Sequence, residues 1–301
     1  MSSEKADLYT RITERIVEEL EKGVRPWLKP WNAEHAAGRI TRPLRHNGQP
    51  YRGINVVMLW MEAVSHNFSC PIWMTYKQAQ ELGAQVRKGE KGSPVVFSDR
   101  IHRTETNDNG EETEREIPFL KAYTVFNCEQ IDGLPAHFTA PANPVLDPVK
   151  RIENAERFFS GIKADIRYGG NRAYYSINDD YIQMPPFETF QDAESFYGTL
   201  AHETVHWTLA EKRLNREFGR KRWGDEGYAA EELVAELGSA FLSADLGLTP
   251  EPRCDHASYI GNWLSVLKSD KRAIFTASAH AERACGFLHA LQPEIIREEA
   301  A

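Results

Sequence analysis

Cysteine is sparse in this chain of 301 residues: Cys70, Cys128, Cys254 and Cys285 are the whole complement. No two stand at the close spacing of a metal knuckle or a redox dithiol, so a disulfide-built scaffold is excluded and the four read as ordinary thiols of a reducing compartment. Long apolar runs are missing as well. No stretch approaches the ~18 consecutive apolar residues of a bilayer span, and the first residues, MSSEKADLYTRITERIVEEL, are charged and amphipathic instead of signal-like. Secretion and membrane insertion are disfavoured, and a cytoplasmic location is expected. Nor is the chain basic overall: 36 Lys+Arg against 44 Asp+Glu give a net charge of −8. At 41% hydrophobic and 27% charged it is neither disordered nor fibrous, and its length suits two domains.

The negative average conceals an uneven distribution. Residues 22–91 carry 11 Lys+Arg against only Glu34, Glu62, Glu81 and Glu90, whereas residues 141–301 carry 18 Lys+Arg against 25 Asp+Glu. Basic charge is therefore concentrated in one early segment, where prolines and glycines interrupt regular structure and aromatic and cationic residues interleave.

Periodicity sets the remaining framework. Leu8, Ile12, Ile16, Val17 and Leu20 mark one face of a helix ended by Gly23; GINVVMLWMEAV and TYKQAQELG also read as helices. VRKGEKGSPVVFSDRI enters a strand whose antiparallel partner is FLKAYTVFN, with the acidic ETNDNGEETERE expected as a loop at the hairpin tip. Pro135, Pro141, Pro144 and Pro148 punctuate an apolar-poor stretch. The expectation is an α+β protein with a first domain over 1–135, a linker over 136–148 and a second domain over 149–301. In the second domain a helix, IENAERFFSGI, precedes a small three-stranded meander (ADIRY, AYYSI, DYIQM). Helices follow over 192–213, 229–246, 255–268 and 270–291.

His202-Glu203-Thr204-Val205-His206 carries the chemistry. On a helix two histidines at i and i+4 stand one above the other, so both imidazoles can hold one zinc ion, with Mn2+ or Co2+ as other divalent candidates. Glu203, about 100° round the helix, can reach the water that the metal activates and serve as general base. Phe196, Leu200 and Trp207 supply an apolar stripe that buries one side of the helix. A catalytic zinc needs a third protein ligand. In the following helix Glu232 and Glu236 share one face, and Glu232 is expected as ligand with Glu236 as acceptor for a histidine N–H; Glu236, Glu231 and Glu226 are the alternatives. Tyr174, Tyr175, Tyr228 and His256 are available to polarise a substrate carbonyl.

Single-stranded nucleic acid is held by cations along its phosphates and by aromatic rings under its bases. Trp27, Trp31, Tyr51 and Trp73 are the stacking candidates, and Arg42, Arg45, Arg52, Arg87, Lys88 and Lys91 the phosphate candidates. Gly89 and Gly92 would let backbone approach the strand. Trp60, inside an apolar run, is assigned to the core.

Taken together, PWLKPW (26–31), YRGINVVMLW (51–60), PIWMTYKQAQELGAQVRKGEKGSPVVF (71–97), HETVHW (202–207), EELVAELGSAFL (231–242) and YIGNWLSVLKSDKRAIFTASAHA (259–281) resemble the ArdC family of plasmid antirestriction proteins. The N-terminal domain is also similar to that of TraC-type plasmid primases, a likeness expected to stop with that domain. The resemblance implies an N-terminal domain that binds single-stranded DNA and a C-terminal zincin-like metallopeptidase domain similar to SprT and Spartan. It also implies protection of incoming conjugative DNA from type I restriction, with a DNA-associated protein or the restriction enzyme itself as partner. By position it makes His202 and His206 ligands, Glu203 the catalytic glutamate and Glu232 the glutamate of the next helix. SprT uses a third histidine instead, and none stands at a suitable spacing here. Two readings of function are open: a metal-dependent protease acting at DNA, and a binding protein that occludes DNA and keeps its metal for structure.

Overall fold

The computed structural model describes residues 7–27, 41–106, 112–139, 148–219, 226–248 and 257–293. The first helix, α1 (Leu8–Glu21), starts where the Asp7 carboxylate accepts the backbone N–H of Thr10 at 2.9 Å, and Gly23 at φ +76° closes it. It is followed by β1 (Leu44–Arg45), α2 (Ile54–His66), β2 (Ile72–Met74) and α3 (Tyr76–Glu81), the last begun by a reciprocal Thr75–Gln78 capping box. Then come β3 (Gln85–Val86), β4 (Ser93–Thr106), β5 (Glu112–Asn127), β6 (Ile131–Asp132) and the short α4 (Ala136–Thr139). The principal sheet has the order β1-β2-β5-β4, with β1 parallel to β2 and the other pairs antiparallel.

The β4–β5 pair runs in continuous register from Ser93 opposite Val125 to Thr106 opposite Glu112. The expected acidic loop is therefore mostly strand, and only residues 107–111 lie outside the described residues. The segment is polar and lacks the apolar alternation that marks a half-buried strand. The expected linker over 136–148 falls on α4, whose Phe138 is buried in a small core with Met74, Val86, Cys128 and Ile131; residues 140–147 lie outside the described residues.

The second half opens with α5 (Pro148–Gly161) and three short strands, β7 (Asp165–Tyr168), β8 (Tyr174–Ser176) and β9 (Tyr181–Met184). These do not form the expected meander: β9 lies in the middle, parallel to β7 and antiparallel to β8. Ile182 and Met184, both fully buried, claim the central place that chain order would give to β8. Helices α6 (Ala193–Trp207), α7 (Glu226–Leu246), α8 (Ala257–Ser269) and α9 (Ala273–Ala290) complete the described chain.

One apolar core runs through both halves, from Ile12 and Ile16 of α1 and Trp60 of α2 to Phe241, Trp263 and Leu288 of the C-terminal helices. Ring packing between Trp27 and Trp263, at 5.9 Å between centroids, crosses the same junction. So does the hydrogen bond from Thr13 to the Lys271 carbonyl at 2.7 Å. Arg42 is buried there, with Nε and Nη2 donating to Asp245 at 2.6 and 2.8 Å and Nη1 to Glu282 at 2.7 Å. Among the described residues no helix is long and apolar enough to cross a membrane.

Candidate metal centre

Helix α6 begins at Asp192, whose carboxylate accepts Ser195 N–H at 2.6 Å, and it ends at Trp207, six residues before the expected end. Two arginines beyond it explain the stop. Arg213 Nε donates to the Trp207 carbonyl and its guanidinium stacks on the Trp207 ring at 4.0 Å; Arg216 Nη2 donates to the Val205 carbonyl at 3.0 Å. The last-turn carbonyls are satisfied by side chains and the chain can turn away. Across from α6, Gly238 of α7 meets Val205 so closely that an added Cβ would lie 2.8 Å from Cγ2 of the valine. This residue lets the two helices approach, and the approach sets the spacing of everything between them.

Between them His202, His206 and Glu232 converge, each buried, with ligand atoms within 4.8 Å of one another. The two Nε2 atoms are 3.2 Å apart, and the Glu232 oxygens lie 3.5 Å from His202 Nε2 and 3.5 Å from His206 Nε2. Tetrahedral coordination at about 2.0–2.1 Å places donors roughly 3.3–3.4 Å apart; with Oε2 of the carboxylate beside His202 and Oε1 beside His206, the three separations are of the size that a single small cation needs. Two imidazoles and a carboxylate are a donor set that first-row divalent ions accept. Glu203 is 4% exposed on the same helix.

The histidines are backed by carboxylates. His206 Nδ1 is 3.1 Å from Glu231 Oε1, and Glu231 in turn accepts Arg216 Nε at 2.7 Å and Nη2 at 2.6 Å. Glu236 Oε2 lies 3.8 Å from His202 Nδ1. Burial resists protonation of His206, but Glu232 and Glu231 outweigh it and raise the imidazole well above its ordinary range. Burial equally opposes ionisation of Glu232, and the two histidines overcome it and hold the carboxyl far below the usual range. The carboxylates of Glu231 and Glu232 thus stabilise positive charge at the imidazoles, where a divalent cation would be accommodated. Of the four candidates for a carbonyl electrophile, Tyr228 is nearest: its hydroxyl is held against Glu232 and sits 3.3 Å from that of Tyr259. Tyr175 is engaged with Asp180 and Arg213, Tyr174 pairs with Tyr181, and His256 lies outside the described residues. Arg25 and Trp27 belong to this centre without any local signal in the sequence, because their partner Glu236 is distant in the chain, and Arg216 joins it from a loop with no regular spacing to Glu231.

The early segment divides differently from the sequence expectation. Trp27, Tyr51 and Trp73 are 1%, 3% and 1% exposed and cannot offer a ring face to a base; their apolar area is consumed by the core. Arg42 is likewise withdrawn into its ion pairs with Asp245 and Glu282, and Arg87 is occupied by Glu90, Asp132 and the Glu129 carbonyl. Gly92 is required by its own fold, since a Cβ there would meet Thr124 and Phe126. Trp31 lies outside the described residues. Arg45, Arg52, Lys88 and Lys91 are exposed, as are the rings of Tyr76 and Phe97, while Trp60 is buried as expected.

Residues 6–126 match the family profile described as the N-terminal domain of anti-restriction factor ArdC, and residues 153–280 match that of a zincin-like metallopeptidase. The fold is similar to the crystal structure of the antirestriction ArdC protein from plasmid R388 in its metal-free form. That match has a TM-score of 0.79 at 46% identity and covers 95% of this chain and 97% of the other. The Mn(II)-bound structure of that protein matches with a TM-score of 0.77 at 44% identity, covering 95% and 98%. A Sinorhizobium fredii protein of uncharacterized function, y4eC, is 42% identical over 97% of this chain and 95% of its own. The DNA primase TraC of Escherichia coli is 36% identical over 99% of this chain, which spans 28% of the primase. The likeness to primases therefore does not stop at the first domain, as the sequence reading expected, but continues through the second. A manganese-bound relative and the zincin-like match together indicate a divalent metal.

Proposed function

The chain belongs to the ArdC family of antirestriction proteins, and from that premise we propose that it binds single-stranded DNA and shields incoming conjugative DNA from type I restriction, with a metal-dependent peptidase centre in its C-terminal half. The convergence of His202, His206 and Glu232, with the imidazole Nε2 atoms 3.2 Å apart and one carboxylate oxygen 3.5 Å from each, is the observation that carries the enzymatic part. Zinc is the expected ion. A bound divalent cation supplies Lewis acidity to water and to a peptide carbonyl. Glu203 accepts the proton of the attacking water and returns it to the leaving amine. Tyr228 is placed to donate its hydroxyl proton to the carbonyl oxygen as charge develops there. Arg45, Arg52, Lys88 and Lys91 follow the phosphates, and Tyr76 and Phe97 take the stacking role that the buried rings cannot.

The burial of His202, Glu203 and Glu232 favours a second reading, in which the metal is structural and protection comes from occluding DNA. Glu203→Gln separates the two. The variant is expected to keep its metal, measured by mass spectrometry of the native protein, and to lose both peptide cleavage and protection of transferred DNA. Full protection by a metal-loaded Glu203→Gln protein would establish the occluding reading.

A further inference from the structure

The carboxylate of Glu236 joins side chains from opposite ends of the chain. Its Oε1 accepts from Arg25 Nη1 at 3.0 Å and lies 3.4 Å from Trp27 Nε1, while its Oε2 faces His202 Nδ1 at 3.8 Å. Trp27, Glu236 and His202 are buried, and the Arg25 side chain is only 10% exposed. Trp27 is fixed in turn by Trp263, and both donors lie just after α1, which packs on α8. The Nδ1 atom of His202 is buried without a hydrogen-bond partner, and Glu236 is the carboxylate within ion-pair reach of it.

An imidazole that ligates through Nε2 donates its Nδ1–H to an acceptor, which fixes the tautomer and the ring plane; loss of such an acceptor weakens metal binding. A carboxylate performing this task must itself be held. We propose that Arg25 and Trp27 are positioning residues of the metal centre: two donors from the N-terminal half engage one oxygen of Glu236, so that the other is presented to His202 Nδ1 and Nε2 is left for the cation. Engagement by a guanidinium also keeps Glu236 from competing with Glu232 as a ligand, so the same contact selects which glutamate completes the centre. The inference rests on the metal reading given above and extends it across the junction of the two halves.

The test is a titration of the full-length, metal-stripped protein with Zn2+ against a competing chelator. Trp27→Phe removes the indole N–H while keeping a ring in the core, and Arg25→Gln removes the charge. Each is expected to weaken Zn2+ binding about 10–100-fold, with Arg25→Lys restoring most of it. Added to Glu236→Gln, neither change should weaken binding further, because all act through one carboxylate. Unchanged affinity in Arg25→Gln and Trp27→Phe, or losses that add to that of Glu236→Gln, would overturn the proposal and leave a mere staple between halves. Zn2+ binding that survives His202→Ala would instead remove the metal reading, and the proposal with it.

Discussion

His206 and His202 sit one turn apart on α6 and are braced in different ways. His206 is held from within its own half: Glu231 faces its Nδ1 from 25 residues along the chain, and Arg216, between them in sequence, grips both oxygens of that glutamate. His202 faces Glu236, whose donors Arg25 and Trp27 are 211 and 209 residues away. The first brace forms when the C-terminal half folds; the second exists only when the N-terminal half is docked on it. The ligands and the first brace therefore belong to the zincin-like half, while the second brace takes in donors from the N-terminal half.

Breaking the local brace should have the largest effect. Arg216→Met leaves buried Glu231 with only His206 as its partner and removes two charge-assisted hydrogen bonds, at a cost of about 3 kcal/mol, read from chemical denaturation. A cost below about 1 kcal/mol would mean that the local brace is no stronger than a surface ion pair.

The docking that sustains the imported brace should fail in acid. Burial raises the Asp245 pKa, but Arg42 and His289 outweigh it and depress the folded value below that of an unfolded aspartate, about 3.9. A depressed carboxylate contributes stability that is complete above the unfolded value and is lost as the pH falls through the folded one. The acid limb of the stability curve should therefore steepen below about pH 4. Asp245→Asn should flatten that limb and lower stability at neutral pH by at most about 3 kcal/mol, since Arg42 is left buried with Glu282 as its partner. An unaltered limb would move the acid response to another group.

The smallest effect sharpens the contrast. Lys88→Glu with Lys91→Glu changes N-terminal charge far from the brace, so Zn2+ affinity should stay at the wild-type value. The double variant should weaken single-strand binding and reduce its logarithmic salt slope by roughly 0.7 for each phosphate that is no longer neutralised. A changed metal affinity would show that general surface charge, and not a specific hydrogen bond, links the halves.

The parts of this molecule that were legible in the sequence are those whose cause is local. The His202 and His206 pair follows from helical spacing, and Glu232 follows from its place beside Glu236 on one face of the next helix. The capped helices and the first part of the β4–β5 hairpin are similarly encoded by near neighbours. Arg216 and Arg25 carried no such signal: a lone arginine in a loop looks the same whether it faces solvent, a glutamate of the next helix or one two hundred residues away. Trp27, Tyr51 and Trp73 misled for a related reason. Aromatic and basic residues interleave equally well on a nucleic-acid surface and at a packed junction, and only the partner across the junction decides which it is. The meander failed because strand order in this small sheet follows burial, with Ile182 and Met184 putting β9, the most buried of the three strands, in the middle, and not order along the chain.

A core that passes without a break from α1 to α9 also bears on how such a protein can be inherited. A recombination event taking up either half alone would expose an apolar face and strand the buried Arg42 or its acidic partners. Selection would then favour transfer of the two halves as one piece of coding sequence. The TraC primase carries its similarity over 99% of this chain, both halves in tandem, as a passenger 28% of its own length.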